Sequence, residues 1–545
     1  MQEKSFTWGS RRKQYRELEA RIDWIWVLLL LVLSVLIFTI NLGHLPLRDW
    51  DEGTVAQVAR DIWRAPAGSM RWLYPTLAGE AYHNKPPLVH WLIAGAYALG
   101  GENEWMTRLP GAVLTATSVP LLYCIGRELF RHRPAAVYSA LIYLTMLPVV
   151  RHGRLAMLDG VALCFFIMMM LFLLKARRDL RYCLGVGIAF GLICLTKGIL
   201  AILLGAVACV FIFWDTPRLL RSGYMWLGVI IGCAPVIAWY GAQWHHYGLV
   251  FAQQGLLNQS LNRIWSDVEG HKQPFWYYPL EILKYTWPCF IFLPHSIRLT
   301  WENKNLSWAK LVLVWSIFYL VSISLMGTKL PWYIYPIYPS FALAIGAQLS
   351  EIQDMPVGSS YPRIWVFPLA FISIITSIAC IYFGWGIARE TDLQFVFGAL
   401  ALTMALSCLL ADRGDKQFLQ VLLWGCYISL ILLMASNNWI WELAERYPVK
   451  PVAEIIKTAN IPANKKIYIY FPKYPPEHRP SLDFYSRRPI NSINFEQLKS
   501  NWNSQVQSYF VLEKSEIEKI PGAKSKKIIK ETKDWAVITN SRVVR

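Results

Sequence analysis

A succession of apolar runs, each about as long as a bilayer is thick, constrains the fold of this chain more than any other feature. The hydrocarbon core of a bilayer is about 30 Å thick and takes about 20 helical residues to cross. Hydrophobic residues make up 55% of the 545-residue chain, too large a share for a water-soluble domain. The sequence therefore predicts a polytopic α-helical membrane protein with about thirteen spans. The predicted spans cover residues 24–42, 109–126, 134–150, 158–174, 182–197, 198–214, 224–242, 279–297, 309–326, 331–348, 364–385, 393–411 and 417–437.

One further apolar run, Leu88 to Leu99, is too short to count with the others. It follows Pro86 and Pro87 and carries His90, so we expect an interfacial helix that does not cross the bilayer. Alternate connections then place the basic loops on one side, together with the basic N-terminus. These loops are residues 127–133, 175–181, 215–222 and 298–310. The positive-inside rule makes that side cytoplasmic and the opposite side, with the C-terminal region, extracytoplasmic.

Charge and cysteine content narrow the class of protein further. The net charge of +18 is spread over short loops, which fits membrane topology and anionic lipid headgroups and argues against nucleic acid as a partner. The first span lacks a small-residue cleavage site and is interpreted as a retained signal anchor. All ten cysteines fall in apolar runs, so we interpret them as small buried hydrophobes rather than disulfide or metal ligands.

The last hundred residues have a different character. From Trp439 onward the sequence is polar, with β-rich runs at 466–471, 508–513 and 536–539 and a helical pattern at 452–459. This pattern predicts a small extracytoplasmic α/β domain, with a role in packing or in docking an acceptor. The predicted domains are a cytoplasmic N-terminus (1–23), a transmembrane domain (24–438) whose first loop is 43–108, and the α/β domain (439–545).

Two adjacent carboxylates, Asp51 and Glu52, stand just beyond the first span. Charge beside hydrocarbon is costly, so an acid in this position is a functional candidate. Val55, Val58 and Ile62 recur at helical spacing after the pair, which predicts an amphipathic helix along the interface from Glu52 to Trp63. The alternative is that Asp51 serves only as the N-cap of this helix and Glu52 only favours its dipole.

Cations and a histidine are predicted on the same side of the membrane as the acids. Lys85 lies in YHNKPPLVHW, Lys197 in LTKG and Lys329 in GTKLPWYIYPIYP, and lysine suits phosphate. Lys85 and Lys197 each have the alternative of reaching to lipid headgroups. The tract RHGRLAMLD carries Arg154 and Asp159, which could simply neutralise each other. His271 lies in the wet loop EGHKQPFWYYP. Cations suit a lipid-linked phosphate and an acid suits removal of a hydroxyl proton, which together indicate transfer chemistry.

At this point the ordered motifs resemble a known family. DWDEGTVAQVARDIW, HNKPPLVHWL, RHGRLAMLDG, LTKG, HKQPFWYY and KLPWYIYPIYP, in that order, are similar to motifs of the GT-C class of integral-membrane glycosyltransferases. Within that class the similarity is to the bacterial lipid A aminoarabinose transferases and their protein O-mannosyltransferase relatives. It covers residues 20–440, and SLDFYSRRPI (481–490) is similar to part of the periplasmic domain of the aminoarabinose enzymes.

The resemblance implies an inverting transferase in the bacterial inner membrane, monomeric, with an extracytoplasmic active site. Its donor would be a sugar on polyprenyl phosphate, and its acceptor a lipid A-like or other glycolipid, or a protein. Asp51 and Glu52 would be catalytic, with Asp51 acting as the general base on an acceptor hydroxyl. The remaining implied site residues are Lys85, Lys197, Lys329 and Arg154 near the donor phosphate, Tyr82, Asn84, Arg108, Asp159 and Tyr333 in the substrate cavity, and His271 as a metal ligand.

One departure from the family pattern concerns the metal. The aminoarabinose enzymes have a glutamate just before the lysine of the KP motif, and that glutamate helps to hold a divalent ion, whereas this chain has Asn84. A neutral amide oxygen weakens binding of a divalent cation, so metal dependence and aminoarabinose specificity are both left open. Two other classes also stay open: a transporter or flippase of lipid-linked sugars, and a non-catalytic glycolipid-binding protein.

Overall fold

The computed structural model describes residues 8–267, 272–356, 361–385, 389–441, 447–472, 476–520 and 527–540. The chain divides into two compact units. The first, called the membrane unit below, comprises Met1–Leu42, His83–Leu88 and Leu109–Trp439. The second, called the α/β unit, comprises Gly43–Tyr82, Val89–Arg108 and Ile440–Arg545. The first loop, which the sequence analysis assigns to the transmembrane domain, therefore packs for most of its length with the C-terminal region.

The predicted polytopic helical fold is confirmed. Within the described residues, 9 helices are long and apolar enough to cross a membrane. They are Arg16–Thr39 (part of the helix Trp8–Thr39), Glu104–Leu129, Leu158–Lys175, Leu180–Lys197, Gly223–Tyr247, Ser307–Leu325, Arg363–Trp385, Thr391–Asp412 and Gln417–Ala435. Each coincides with one of the thirteen predicted spans, because an apolar run of this length has few alternatives to a membrane helix.

The other four predicted spans are shorter or broken. The run 134–150 forms the helices Arg133–Thr145 and Leu147–Arg154, bent by 59° at a break next to Pro148. The run 198–214 is the 16-residue helix Leu200–Asp215. The run 279–297 divides into Tyr277–Tyr285, a 3₁₀ turn Cys289–Phe292 and Leu293–Glu302, and the run 331–348 begins as a 3₁₀ segment, Pro331–Ile337, before the helix Tyr338–Asp354. Each broken run has a proline at its break. Proline removes a helical hydrogen bond, which explains why the helix is interrupted there.

Short helical segments connect the spans of the membrane unit. The predicted extracytoplasmic loop 243–278 contains the helices Leu249–Phe251 and Asn262–Trp265, separated by a π-helical segment, Ala252–Leu261. A 3₁₀ segment, Pro217–Arg221, precedes the span Gly223–Tyr247, and a π-helical stretch, Val314–Phe318, lies inside the span Ser307–Leu325.

The C-terminal region of the α/β unit contains the predicted small sheet. Its five strands are β3 (Ile467–Tyr470), β4 (Asn491–Ile493), β5 (Tyr509–Glu513), β6 (Lys527–Glu531) and β7 (Trp535–Thr539). They run in the order β4-β3-β5-β7-β6, with β3 parallel to β4 and β5, and β7 antiparallel to β5 and β6. The three β-rich runs predicted from the sequence are β3, β5 and β7, whereas β4 and β6 lie at the edges and carry a weaker apolar signal.

Both faces of this sheet are covered. Val511 on β5 packs with the helix Val449–Thr458 in one apolar cluster, while its neighbours Phe510 and Leu512 pack with the helix Phe495–Asn503 in another. Successive strand residues point to opposite faces, which explains the alternation. A further helix, Pro480–Ser486, contributes Leu482 to the first cluster and is called the anchor helix below. A short helix, Lys514–Ile517, follows β5.

The first loop contributes the remaining elements of the α/β unit. They are the helix Asp51–Trp63, called the acid helix below, a two-stranded ribbon of β1 (Thr76–Leu77) and β2 (Glu80–Ala81), and the helix Leu88–Gly100. Leu88–Gly100 is 13 residues long, or about 20 Å, which is shorter than a membrane span requires.

Candidate functional site

A cavity of about 230 Å³ in the membrane unit is lined by residues from four of the sequence motifs, namely HNKPP, RHGRLAMLD, LTKG and KLPWYIYPIYP. Its charged lining consists of Lys85, Lys197, Arg263 and Asp159, which leaves an excess of positive charge. Most of the remaining lining is aromatic or aliphatic. These residues include Ile199, Leu200, Leu203, Trp239, Phe251, Ile264, Ile323, Met326 and Trp332. A largely apolar cavity with cations in its lining is suited to a phosphate that carries a long hydrocarbon tail.

Lys197 and Asp159 form an ion pair in this cavity. Lys197 ends the helix Cys183–Lys197, and Asp159 lies in the first turn of the helix Leu158–Lys175. The alternative in which Asp159 neutralises Arg154 is therefore wrong for this structure. Gly198 follows the lysine with φ 57°, and a Cβ there would lie 3.1 Å from the hydroxyl oxygen of Tyr240. Glycine thus allows the tight turn that places Lys197 at the cavity.

Tyr333, from the motif KLPWYIYPIYP, lies next to two of these cations. The Nζ of Lys197 lies 5.9 Å from the centre of its ring, and Nη1 of Arg263 donates to its hydroxyl at 3.4 Å. The backbone around Tyr333 is fixed by two buried tyrosines, since Tyr319 donates to the carbonyl of Tyr333 at 2.7 Å and Tyr278 to that of Leu330 at 3.2 Å. Arg263 was not predicted from the sequence. Its position in the loop 243–278 is the one feature of the sequence that could have indicated a role at this cavity.

The HNKPP motif supplies the other polar part of the lining. His83, Asn84, Lys85 and Pro86 all contribute to it. His83 is 4% exposed, its ring packs 4.5 Å from that of Tyr247, and burial lowers its pKa. Its Nδ1 is buried without a hydrogen-bond partner among the described residues. A neutral imidazole therefore stands beside the lysine, a feature that the sequence analysis did not single out.

Two residues predicted near the donor phosphate have other positions. Arg154 is fully buried, donates at 2.6 Å to the carbonyls of both Ile37 and Ile40, and lies 4.4 Å from the ring centre of Trp439. These contacts give it a packing role, because the carbonyls at the end of the first span need donors. Lys329 donates to the carbonyl of Met326 at 2.6 Å, and burial lowers its pKa. Neither residue belongs to the cavity lining.

The acids lie in the α/β unit, together with Tyr82 and Arg108. Arg108 donates from Nε and Nη2 to the two carboxylate oxygens of Glu52, both at 2.7 Å, and neither side chain is exposed. Arg108 also donates to the carbonyls of Leu45 and Pro46. Glu52 therefore holds the loop after the first span in place, a structural task that differs from the predicted catalytic one. Tyr82 is buried, with its ring 5.5 Å from that of His90.

Asp51 is partly exposed and is the first residue of the acid helix. The N-cap is Trp50, whose side chain makes no capping bond, so the alternative that Asp51 is the N-cap is wrong. Trp50 has φ 67° and ψ −63°, and the amide of Asp51 donates to the carbonyl of Asp49 at 2.8 Å. These values define a γ-turn with positive φ, which is rare and strained. A strained turn directly before the acid was not predicted.

The metal site implied by the resemblance stays a prediction. His271, the predicted ligand, lies outside the described residues. Within the described residues, no group of three His, Cys, Asp or Glu side chains could hold a metal ion. The single carboxylate of the cavity lining, Asp159, is paired with Lys197, and Asn84 offers a neutral amide oxygen.

Three comparisons with known proteins bear on this geometry. The family model described as "Dolichyl-phosphate-mannose-protein mannosyltransferase" matches residues 84–240, which include Asn84, Lys85, Asp159 and Lys197. The chain is 28% identical over 335 residues to undecaprenyl phosphate-alpha-4-amino-4-deoxy-L-arabinose arabinosyl transferase 1 of Pseudomonas fluorescens, covering 60% of each chain. It is 27% identical to the corresponding transferase of Aeromonas salmonicida, covering 58% of this chain and 59% of that one. The chain thus matches about three fifths of the length of these relatives.

Solved structures extend the similarity to nearly the whole chain. ArnT from Cupriavidus metallidurans, bound to undecaprenyl phosphate, matches with a TM-score of 0.75 at 19% identity, covering 95% of this chain and 98% of that one. The oligosaccharyltransferase of Archaeoglobus fulgidus matches with a TM-score of 0.55 at 14% identity, covering 90% and 70%. The resemblance stated from the motifs is confirmed, and the fold is that of ArnT from Cupriavidus metallidurans.

Proposed function

We propose that this membrane protein with the GT-C fold is a glycosyltransferase that moves a sugar from a polyprenyl phosphate donor to a glycolipid acceptor. The observation that carries the proposal is the convergence of Lys85, Lys197 and Arg263 on one largely apolar cavity. Phosphate is recognised by lysine and arginine, and a prenyl chain requires an apolar wall. The names of the relatives, which specify undecaprenyl phosphate, support the same class of donor.

The proposed reaction is a single displacement. The acceptor oxygen forms a bond to the anomeric carbon as the bond between that carbon and the phosphate oxygen breaks, so that polyprenyl phosphate leaves and the anomeric configuration inverts. Negative charge grows on the departing phosphate, and the cations of the cavity offset it. Preorganised charges of this kind are usually the largest contribution to catalysis, and losing one donor typically costs about a hundredfold in rate.

Asp51 is the proposed general base, because Glu52 is already committed to Arg108. The carboxylate of Asp51 would take the proton of an acceptor hydroxyl. If the acceptor group is a phosphate, no proton needs to be removed, and Asp51 would orient the nucleophile instead. No step of the proposed reaction passes through a metal ion.

We further propose that the reaction takes place at the extracytoplasmic face of a bacterial inner membrane. The support is the distribution of basic loops, which predicts a cytoplasmic N-terminus and places the first loop on the opposite side. The bacterial origin of the relatives agrees with this location. An acceptor at that face would be a glycolipid of the envelope, with a protein as the other outcome.

The proposal is tested by mass spectrometry of envelope glycolipids and glycoproteins from cells with and without the gene. The expected result is a glycolipid that is heavier by one sugar residue in the presence of the gene, and that is absent when the gene carries Lys85→Ala. If the added sugar is found on a protein instead, the acceptor is a protein and not a glycolipid. Identical envelopes in cells that make the protein, or full modification by the variant, would contradict the proposed function.

A further inference from the structure

The acid helix begins under strain, and the surrounding structure must maintain that conformation. Trp50 occupies the positive-φ region, where a bulky L-residue is disfavoured. Asp49 and Asp51 are joined across it by the γ-turn bond. A conformation of this kind is unfavourable on its own and persists only where neighbouring contacts determine it. Several contacts with the anchor helix fix residues 47–60.

Asp49 is held by the start of the anchor helix. Its Oδ1 accepts from the hydroxyl of Ser481 at 2.7 Å and from the amide of Ser481 at 3.1 Å. Its Oδ2 lies 3.4 Å from Nη1 of Arg479, and both side chains of this ion pair are less than 10% exposed. A carboxylate at the first turn of a helix is favoured by the free amides and by the helix dipole. The two interactions bind Asp49 to a segment more than 400 residues away in the sequence.

Three further contacts join the same two elements. The hydroxyl of Tyr485 accepts from the amide of Leu47 at 2.8 Å, before the turn. Arg60, near the end of the acid helix, donates to the carbonyl of Phe484 at 2.7 Å. Between them, a Cβ at Gly53 would lie 2.6 Å from the backbone nitrogen of Ser481, so the two backbones meet where no side chain intervenes. The anchor helix thus contacts the chain both before Asp51, at Leu47, and after it, at Gly53 and Arg60.

We propose that Asp49, fixed by Ser481 and Arg479, is a positioning residue that sets the orientation of Asp51, so that the start of the anchor helix acts on the reaction through Asp49. This inference rests on the proposed function, in which Asp51 touches the acceptor. Misplacing a reacting group by about 1 Å can cost on the order of a hundredfold in rate. Supporting residues of this kind keep a reacting group in its productive geometry.

The test replaces the hydroxyl that holds Asp49. Ser481→Ala in the purified full-length protein is expected to lower kcat by about tenfold or more, with KM for the lipid-linked donor unchanged, because the donor cavity is untouched. The matched control is Ser486→Ala, which removes a hydroxyl from the same helix, one that donates to the carbonyl of Arg488. The control is expected to keep both kcat and KM. The double variant Asp49→Asn with Ser481→Ala should lower kcat by a smaller factor than the product of the two single reductions, because both substitutions act on one contact.

Hydrogen exchange provides a readout that does not depend on activity. Backbone amides of residues 47–53 are expected to exchange at least several-fold faster in Ser481→Ala, and at the wild-type rate in Ser486→Ala. Wild-type kcat and wild-type exchange in Ser481→Ala would overturn the positioning role, as would a change confined to KM. If the wild-type protein transfers no sugar, the proposed function fails, while the exchange rates still decide whether Ser481 holds the turn.

Discussion

Arg108 donates to both carboxylate oxygens of Glu52 at 2.7 Å, and neither side chain is exposed to solvent. The pair separates the roles of two acids that are adjacent in the sequence. Glu52 has a buried cationic partner and accepts from the amide of Arg48 as well, whereas its neighbour Asp51 is partly exposed at the helix start. Successive helical residues point about 100° apart, which allows neighbours to have different partners.

We predict that Glu52→Gln destabilises the protein. The substitution leaves the guanidinium of Arg108 buried without its counter-charge, and removing one partner of a buried pair typically costs about 3–5 kcal/mol. Thermal unfolding in detergent should show a clear drop in Tm and a reduced yield of folded protein. A Glu52→Gln variant that unfolds at the wild-type temperature but transfers no sugar would contradict the structural assignment and restore Glu52 as a catalytic acid.

The variant Asp51→Asn is expected to lose activity without losing stability, in contrast to Glu52→Gln. An asparagine preserves the size of the side chain but accepts no proton, and general base catalysis contributes about 10²–10⁴-fold to rate. We therefore expect transfer to fall by that order while Tm stays at the wild-type value. Glu80→Gln, an exposed carboxylate on the ribbon of the same loop, is the matched control and should retain full activity.

Binding of the donor lipid should depend on Lys85 and Arg263. Hydrogen bonds to charged groups contribute about 1.5–3 kcal/mol each, so Lys85→Ala and Arg263→Ala should each weaken binding of undecaprenyl phosphate by about tenfold or more. Native mass spectrometry in nanodiscs measures this, with undecaprenol as the uncharged comparison lipid. Lys304→Ala, an exposed lysine between spans, should bind as the wild type does. Equal affinities for the phosphate and the alcohol would show that the cavity does not recognise phosphate.

A pH effect is expected at the anchor helix. Burial disfavours the charged form of His478, but the hydrogen bond to Asp483 at 2.5 Å and the charges of Asp483 and Asp49 outweigh it and raise the pKa of the imidazole. A raised pKa in the folded state means that the histidine stabilises the fold below its unfolded pKa of about 6.5 and loses that contribution as the pH rises through the folded value.

Thermal unfolding of the wild type and of His478→Gln across pH tests this effect. The difference in Tm should be largest near pH 6 and should shrink as the solution becomes alkaline. A difference that grows with pH would contradict the assigned direction.

The membrane fold could be predicted from the sequence because long apolar runs leave a chain few alternatives to helical spans. Where prolines interrupt a run, as at Pro148, the helix breaks, and the sequence predicted one element where the structure has two. The sheet was predicted through β3, β5 and β7, whose apolar runs are unbroken. The placement of residues 43–82 with the C-terminal region could not be predicted, because it depends on contacts such as that between Asp49 and Ser481 across the length of the chain.

The structure brings some of the predicted site residues together. Asn84, Lys85, Asp159, Lys197 and Tyr333 line one cavity, as the motifs indicate. Arg154 contacts the carbonyls of Ile37 and Ile40. The sequence alone does not show whether a basic residue beside a span faces a ligand or the carbonyls of another helix. Arg263 and His83 were missed for the converse reason, since their surroundings consist of residues far away in the chain.

The most direct test of the account supplies the purified protein in nanodiscs with a lipid-linked sugar and an envelope glycolipid, and measures release of polyprenyl phosphate by mass spectrometry. Undecaprenyl phosphate-alpha-4-amino-4-deoxy-L-arabinose and dolichyl phosphate mannose are the two donor probes. The wild type is expected to release one polyprenyl phosphate for each sugar transferred, with inversion at the anomeric carbon. Asp51→Asn is expected to release at most about one hundredth as much. Release at the wild-type rate by Asp51→Asn, or none from wild-type protein that binds the donor, would contradict the account.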